Sequence, residues 1–188
     1  MNFQQSLARG KVGESAIARW FMARGHSVLP VYEIEVSHGK GPQLFRLGES
    51  FVAPDMLVFT PKGQIFVEAK HKTVFSWNRT RKIWVTGIDL RHYEDYLKVA
   101  ASTCVPVWLM FLHTCSIPNP RDLEYGCPRV CPTGLYVGDL HYLRQNENHR
   151  SAPYNPERPG FKGHGTSGMV YWAEQSLKRF SDYSAVAA

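Results

Sequence analysis

The sequence has little of what marks membrane-spanning, secreted or disordered proteins. Its longest apolar run, residues 105–112, has the length of a strand and falls short of the roughly 18 apolar residues of a membrane span. The first fifteen residues lack the apolar core of a secretory signal. At 44% hydrophobic and 13% aromatic residues, the 188-residue chain can bury a core of its own, which a disordered chain cannot. We therefore expect a soluble, cytoplasmic protein.

Cysteine and acidic residues are also scarce. The four cysteines, Cys104, Cys115, Cys127 and Cys131, would be reduced thiols or metal ligands in a reducing compartment. Lys and Arg number 22 against 16 Asp and Glu, which gives a formal charge of +6 and a pI of about 9.2. A basic excess of this size favours polyanionic partners such as nucleic acid, although many basic proteins bind none.

Hydrophobic periodicity and turn residues divide the chain into helices and strands. They predict helices at residues 5–24 and 90–103, the second one capped by Asp89. Strands are predicted at 27–36, 51–60, 64–70, 106–112, 135–143 and 169–172, with a further helix ending at Phe180. Loops or irregular excursions are predicted at 37–49, 71–88, 116–133 and 146–167. This order predicts an α/β domain with a mixed β-sheet between helices.

Two carboxylates and an ammonium group converge in this plan. Pro61, Lys62 and Gly63 form a hairpin turn, and its register sets Asp55 opposite Glu68 or one residue from it. Glu68 and Lys70 lie two apart on one strand, so they face the same side of the sheet. Burying three charges is costly unless they pair with one another or hold a metal ion.

The chemistry that such a cluster supports is metal-assisted phosphodiester hydrolysis. Asp55, Glu68 and the carbonyl of Ala69 would hold Mg²⁺ or Mn²⁺, because these ions prefer oxygen ligands. The metal would neutralise the phosphate and lower the pKa of a bound water. Lys70 would position or help to deprotonate that water, or would stabilise developing charge as a donor.

This arrangement of Pro54, Asp55, Glu68, Ala69 and Lys70 resembles the PD-(D/E)XK nuclease superfamily. The resemblance implies a restriction-endonuclease-like fold: a mixed central β-sheet flanked by helices, with a C-terminal elaboration. Residues 1–115 would form the nuclease core, and residues 116–188 would elaborate the same domain. The implied function is Mg²⁺-dependent or Mn²⁺-dependent cleavage of DNA.

The first helix adds a more specific resemblance. Residues 10–16, GKVGESA, and residues 24–28, RGHSV, are similar to the opening of Holliday junction resolvases. That similarity implies that Glu14 is a further site carboxylate, that the substrate is branched or structured DNA, and that the protein forms a homodimer. Several exonuclease-like branches place a Gln and, four residues later, a Tyr on the helix after the motif. Here that helix offers His92 and Tyr96, which departs from the exonuclease pattern.

Basic and aromatic residues follow the motif directly and are candidates for nucleic-acid binding. These candidates are Trp77, Arg79, Arg81 and Lys82, with Lys11 and Lys72 near the expected site. The alternative is an ordinary basic hairpin whose tryptophans pack on the domain. Tyr171 and Trp172 are more typical of a core than of a platform for base stacking.

Three alternatives to an endonuclease on structured DNA stay open. One is a DNA exonuclease or a restriction-type nuclease. A second is a nucleic-acid-binding module without catalysis. The third is an interaction domain stapled by zinc, for which His113, Cys115, Cys127 and Cys131 would be the ligands. Against zinc, free cysteines are commonly buried apolar residues.

Overall fold

The computed structural model of the protein describes residues 3–30, 42–153, 167–183 and 186. Its helices are α1 (Phe3–Met22), α2 (Leu90–Thr103), α3 (Pro120–Glu124) and α4 (Leu140–Gln145). Its first strands are β1 (Ser27–Pro30), β2 (Gln43–Arg46), β3 (Glu49–Val52), β4 (Met56–Thr60), β5 (Gly63–Lys72) and β6 (Ser76–Asn78). The later strands are β7 (Ile83–Asp89), β8 (Val107–His113), β9 (Gly134–Asp139), β10 (His149–Ser151), β11 (Met169–Ala173) and β12 (Lys178–Ser181). None of the helices in these ranges is long and apolar enough to cross a membrane.

A mixed central sheet organises the molecule, as the sequence predicted. Its strand order is β1-β4-β5-β8-β9-β12, in which β5 and β8 run parallel and the other neighbours run antiparallel. Helix α1 covers one face through Ile17 and Phe21, which pack with Val67 of β5. Helix α2 covers the other face through Tyr96 and Val99. Because side chains alternate along a strand, successive residues of β5 face α1 and α2 in turn.

Both long helices owe their placement to local sequence signals. Asp89 caps α2 as predicted, since its side chain accepts a hydrogen bond from the Arg91 backbone N–H. Gly25 follows α1 with a φ of 79°, a left-handed conformation that glycine adopts without strain. Gly13 permits close packing of α1 on β5, because a Cβ there would come within 2.6 Å of the His71 Cβ. This contact brings α1 to the C-terminal end of β5.

A second, antiparallel sheet has the order β10-β11-β7-β6. One of its faces contributes Trp84, Ile88, Val170 and Trp172 to the core beneath α2. The prediction of an irregular excursion at 71–88 was therefore wrong. Strand β5 extends to Lys72, and the residues that follow form β6 and most of β7. The strands β10 and β11 that complete this sheet come at least 60 residues later in the chain, a distance that local pattern does not bridge.

Other expectations about secondary structure need correction. The predicted loop at 37–49 contains the β2–β3 hairpin, within its described part. The predicted strand at 51–60 is two strands, broken at Ala53, Pro54 and Asp55, since proline cannot donate to a sheet ladder. The predicted strand at 135–143 ends at Asp139, whose side chain caps α4.

The predicted terminal helix up to Phe180 is also wrong. A 3-10 turn at Glu174–Ser176 leads instead into β12. Phe180 stacks on Trp20 of α1 at 5.6 Å, and the Trp20 indole N–H donates to the Ser181 hydroxyl at 2.9 Å. These contacts favour a strand that a local pattern cannot reveal. Residues 31–36 of the first predicted strand and 154–166 of the late predicted loop lie outside the described residues.

Candidate active site

The hairpin of β4 and β5 brings Asp55, Glu68 and Lys70 together. Met56 pairs with Val67, so Asp55, which precedes Met56, lies beside Glu68. The Asp55 Oδ2 accepts a hydrogen bond from the Ala69 backbone N–H at 2.7 Å. Glu68 and Lys70 share one face of β5, where the Lys70 Nζ forms an ion pair with the Glu68 Oε1. The convergence predicted from residue spacing is thus present, while the roles of these residues stay predictions.

Glu68 is the most deeply buried charged group of this cluster. Its side chain is 1% exposed, whereas that of Lys70 is 29% exposed. The Glu68 Oε2 is buried and has no hydrogen-bond partner among the residues that the structure describes. A buried carboxylate oxygen without a partner destabilises the fold, because no hydrogen bond offsets the free energy of removing the charged group from water. The site therefore has unused capacity to bind a cation.

The local charges are unbalanced in the negative direction. Burial, followed by the nearby charge of Glu68, raises the pKa of Asp55 well above its usual value, and Glu14 adds to the effect. Burial works to lower the pKa of Lys70, but Glu68 and Asp55 outweigh it and the net pKa is raised. Three carboxylates thus act on Lys70, and the ammonium group of Lys72 lies near enough for the two lysines to interact. A divalent cation would add positive charge beside these carboxylates.

Glu14 of the first helix lies near the cluster, and its role as a site carboxylate stays a prediction. It is half-buried on α1, one residue after the close contact of Gly13 with His71. Its carboxylate is near enough to raise the pKa of both Asp55 and Lys70. Helix α1 therefore contributes a negative charge to a site otherwise built by a hairpin.

The residues present fit a magnesium ion. Magnesium is usually held by one or two carboxylates with several waters rather than by a full protein cage. Asp55 and Glu68 supply two carboxylates, and the unpartnered Oε2 of Glu68 is a ready ligand atom. In the described part of the chain, no group of three or more His, Cys, Asp or Glu side chains is placed to hold a metal ion, so Asp55 and Glu68 would depend on waters to complete the coordination.

Tyr96 of α2 also belongs to the surroundings of the site, although it was predicted only as a departure from the exonuclease pattern. Tyr96 is buried, and burial raises its pKa, with further increases from the nearby charges of Glu68 and Asp55. Its i, i+3 spacing from the buried Tyr93 and Val99 marks it as inward-facing, which was the signal available.

The two lysines predicted to meet nucleic acid differ in surroundings. Lys11 is exposed on α1. Lys72 closes β5 in a half-buried position, and burial together with the charge of Lys70 lowers its pKa to about 8. The Lys72 carbonyl accepts a hydrogen bond from the Thr114 backbone N–H at 3.2 Å. The role of both lysines in nucleic-acid binding stays a prediction.

The basic residues after the motif lie around the β6–β7 hairpin. The Arg79 guanidinium lies 3.6 Å over the Tyr125 ring and 3.4 Å from the Asp122 carboxylate. The Lys82 Nζ donates to the Tyr125 carbonyl at 3.0 Å. Arg81 is exposed. Arg79 and Lys82 therefore also attach this hairpin to the segment around α3.

Both tryptophans of the same hairpin pack on the core, as the alternative of an ordinary hairpin expected. Trp84 is buried in the core cluster. Trp77 is half-buried, packs against the same cluster and meets Trp84 edge to face at 4.9 Å. The Trp77 indole nitrogen has no hydrogen-bond partner among the described residues.

The zinc alternative finds no support in the arrangement of its four residues. No group of three or more His, Cys, Asp or Glu side chains in the described ranges is disposed to hold a metal, and this set is no exception. His113 is fully buried and stacks on Phe75 at 3.6 Å, where burial and the charge of Lys72 lower its pKa to about 3. Cys127 and Cys131 are buried with the core, as apolar cysteines commonly are.

The comparisons with known proteins bear on the fold. The solved structure of Hjc, a Holliday junction resolvase from the archaeal hyperthermophile Archaeoglobus fulgidus, superimposes with a TM-score of 0.50. The match covers 95% of each chain at 9% sequence identity. No family model matches the sequence, and no curated protein is detectably similar to it. The chain therefore has the restriction-endonuclease-like fold that its motif implied.

Proposed function

We propose that this protein is a metal-dependent nuclease that hydrolyses phosphodiester bonds in DNA, with Asp55, Glu68 and Lys70 at its reaction centre. The observation that carries the proposal is the meeting of these three groups around a buried carboxylate oxygen without a partner. A structural ion-pair cluster would be expected to satisfy that oxygen, since buried polar groups are nearly always bonded. A cluster that binds a cation leaves it available.

The residues divide the chemical work. Asp55, Glu68 and the Ala69 carbonyl would hold Mg²⁺ or Mn²⁺, with Glu14 acting directly or through water. The bound ion would neutralise phosphate charge and lower the pKa of a water molecule. Lys70, held in place by Glu68, would position that water or donate to the developing negative charge.

The preferred substrate in this proposal is branched or otherwise structured DNA. The support is the resolvase-like sequence of the first helix together with the fold shared with Hjc, which is a Holliday junction resolvase. The net charge of +6 suits a polyanionic substrate. By the same reasoning we propose a homodimer, and a nuclease core in residues 1–115 that residues 116–188 elaborate.

A cleavage panel at fixed Mg²⁺ tests the proposal. The panel contains linear, circular, single-stranded, forked and four-way DNA. We expect cleavage of the four-way or forked substrate, and a loss of at least about a hundredfold in the Asp55→Asn variant, since even indirect partners of a metal ligand are worth 10–100-fold. DNA binding by that variant should persist.

Asp182 provides the matched control for this experiment. Its side chain is 70% exposed and pairs only with Arg179 among the described salt bridges. Asp182→Asn should cleave like the parent. Equal cleavage by Asp55→Asn and the parent would refute the catalytic assignment, and cleavage of linear DNA alone would favour the exonuclease alternative.

A further inference from the structure

One face of the second sheet lines an open cavity that contains none of the reaction-centre residues. Its volume is about 470 Å³, within the range of small-molecule sites. The cavity lies on the face of the sheet that carries Val85 and Tyr171, opposite the face that packs in the core. It is lined mainly by aromatic and neutral polar groups. Such a lining suits a flat, uncharged ring with hydrogen-bonding edges.

The concave shape comes from strong curvature of the second sheet. Strands β6 and β10 are its two edges, yet the Asn78 Nδ2 of β6 lies 3.4 Å from the His149 Nδ1 of β10. The Asn148 Oδ1 lies 3.4 Å from the same Asn78 nitrogen. Side chains from opposite edges thus meet across the face and close one side of the cavity.

A pair of stacked rings forms one wall. His149 and Tyr171 are cross-strand partners whose rings are 4.5 Å apart and 5° from parallel. Gly87 lies beside Tyr171 on β7, and a Cβ there would come within 2.8 Å of the Tyr171 ring. The glycine therefore gives the tyrosine ring room to lie against the sheet. An incoming base would extend this stack by one ring.

Polar groups also line the cavity. Because Trp77 pairs with Trp84 and packs on the core, Ser76 and Asn78 are the side chains of β6 on the cavity face. Arg79 lines the cavity while it contacts Tyr125 and Asp122, and Arg81 lies close enough to help lower the pKa of His149, after the larger effect of burial. Arginine beside aromatic rings is the combination with which proteins hold single-stranded nucleic acid.

The cavity is also within reach of the reaction centre. Trp77 follows Lys72, the last residue of β5, by five positions, so their Cα atoms lie at most about 18 Å apart. That span corresponds to roughly five nucleotides at 3.4 Å per step along one strand. A strand engaged at Glu68 and Lys70 could therefore place a nearby base at the cavity.

We propose that this cavity binds an unpaired nucleobase of the DNA strand that leads into the reaction centre. The stacked rings of His149 and Tyr171 extend their stack onto the base, and the polar side chains of Ser76 and Asn78 on the same face lie at its edge. The inference rests on the proposed action on DNA, and it adds a reason for structured substrates: a fully paired duplex offers no free base within reach.

Binding of short oligonucleotides tests the cavity independently of cleavage. The Asp55→Asn protein is titrated in EDTA with fluorescently labelled oligo-dT and with an abasic strand of equal length. Stacking on one aromatic residue is worth about 5- to 150-fold in affinity. We expect roughly tenfold weaker binding of oligo-dT after Tyr171→Ala, little loss after Tyr171→Phe, and no effect of Tyr171→Ala on the abasic strand.

Tyr142→Ala is the matched control, because Tyr142 is an exposed tyrosine on α4 outside the cavity. It should bind both strands like the parent. Equal affinity of the parent for the two strands would overturn the proposal, as would unchanged oligo-dT binding by a folded Tyr171→Ala protein. Absence of cleavage by the protein with intact Asp55 would instead refute the proposed nuclease, whatever the oligonucleotides show.

Discussion

The central sheet and the second, four-stranded sheet differ in the polar groups that they bury. The central sheet buries charge: Glu68 and Lys70 form an ion pair beneath α2, and one carboxylate oxygen is left over. The second sheet instead gathers neutral rings and amides around a cavity, with His149 stacked on Tyr171. Buried charges require a counterion, whereas neutral groups require only a flat or hydrogen-bonding partner. This difference underlies the two proposals, a divalent ion at the central sheet and a base at the second sheet.

The largest expected effect concerns pH and the central sheet. Burial lowers the pKa of His113 on β8 to about 3. Between pH 6.5 and 3 the unfolded chain therefore binds a proton at this histidine and the folded protein does not. The free energy of unfolding should decrease as the pH is lowered through that window, by up to several kcal/mol at about 1.4 kcal/mol per pKa unit. Asp55 opposes this trend because its pKa is raised in the folded state.

His113→Phe should flatten this dependence. Urea unfolding at several pH values between 6.5 and 4 gives the measurement. His141→Phe is the control, since His141 is exposed on α4 and should leave the slope unchanged. If His113→Phe and the parent lose stability equally on acidification, buried ionisation in the central sheet is not what sets the acid response.

The next effect concerns the curvature of the second sheet. A Cβ at Gly87 would lie 2.2 Å from the Val170 carbonyl oxygen, so Gly87→Ala must shift β11 relative to β7. Overpacking of this kind costs about 1–3 kcal/mol. Thermal unfolding should show the loss, and oligo-dT binding should weaken with it.

Gly10→Ala gives the contrasting glycine. It lies inside α1, and its nearest neighbour would be the Glu14 Oε1 at an ordinary 3.6 Å. Alanine in a helix interior is favoured by roughly 0.5–1 kcal/mol, so this variant should be slightly more stable. A Gly87→Ala protein as stable as the parent would show that the sheet does not depend on close approach at that position.

The sequence predicted the parts of the fold that local pattern controls. The apolar runs of β4 and β5, the turn at Gly63 and the Asp89 cap each carry their own signal. Strand β12 does not, because its pairing with β9 and its contact with Trp20 depend on residues far away in the chain. A short amphipathic segment fits a helix or a strand until that partner is known.

The candidate site divides in the same way. The proximity of Asp55, Glu68 and Lys70 could be predicted from the sequence, since a tight hairpin fixes register. The balance of charge among them could not be predicted, because it depends on burial and on Glu14, which comes from another element. The cavity of the second sheet was also hidden: Tyr171 was expected in the core with Trp172, but alternation along β11 turns them to opposite faces.

The most direct test of the account is the stability of the parent and Asp55→Asn with and without Mg²⁺. Ionised Asp55 costs the folded state more than the unfolded chain at neutral pH, because its pKa is raised on folding. In EDTA the asparagine variant, which keeps an oxygen for the Ala69 N–H, should be more stable by about 1 kcal/mol. Mg²⁺ should raise the melting temperature of the parent and leave the variant unchanged. The contradicting result has two parts: Asp55→Asn is no more stable than the parent in EDTA, and the melting temperature of the parent does not change with Mg²⁺ or Mn²⁺. That result would contradict the claim that these carboxylates hold a divalent ion.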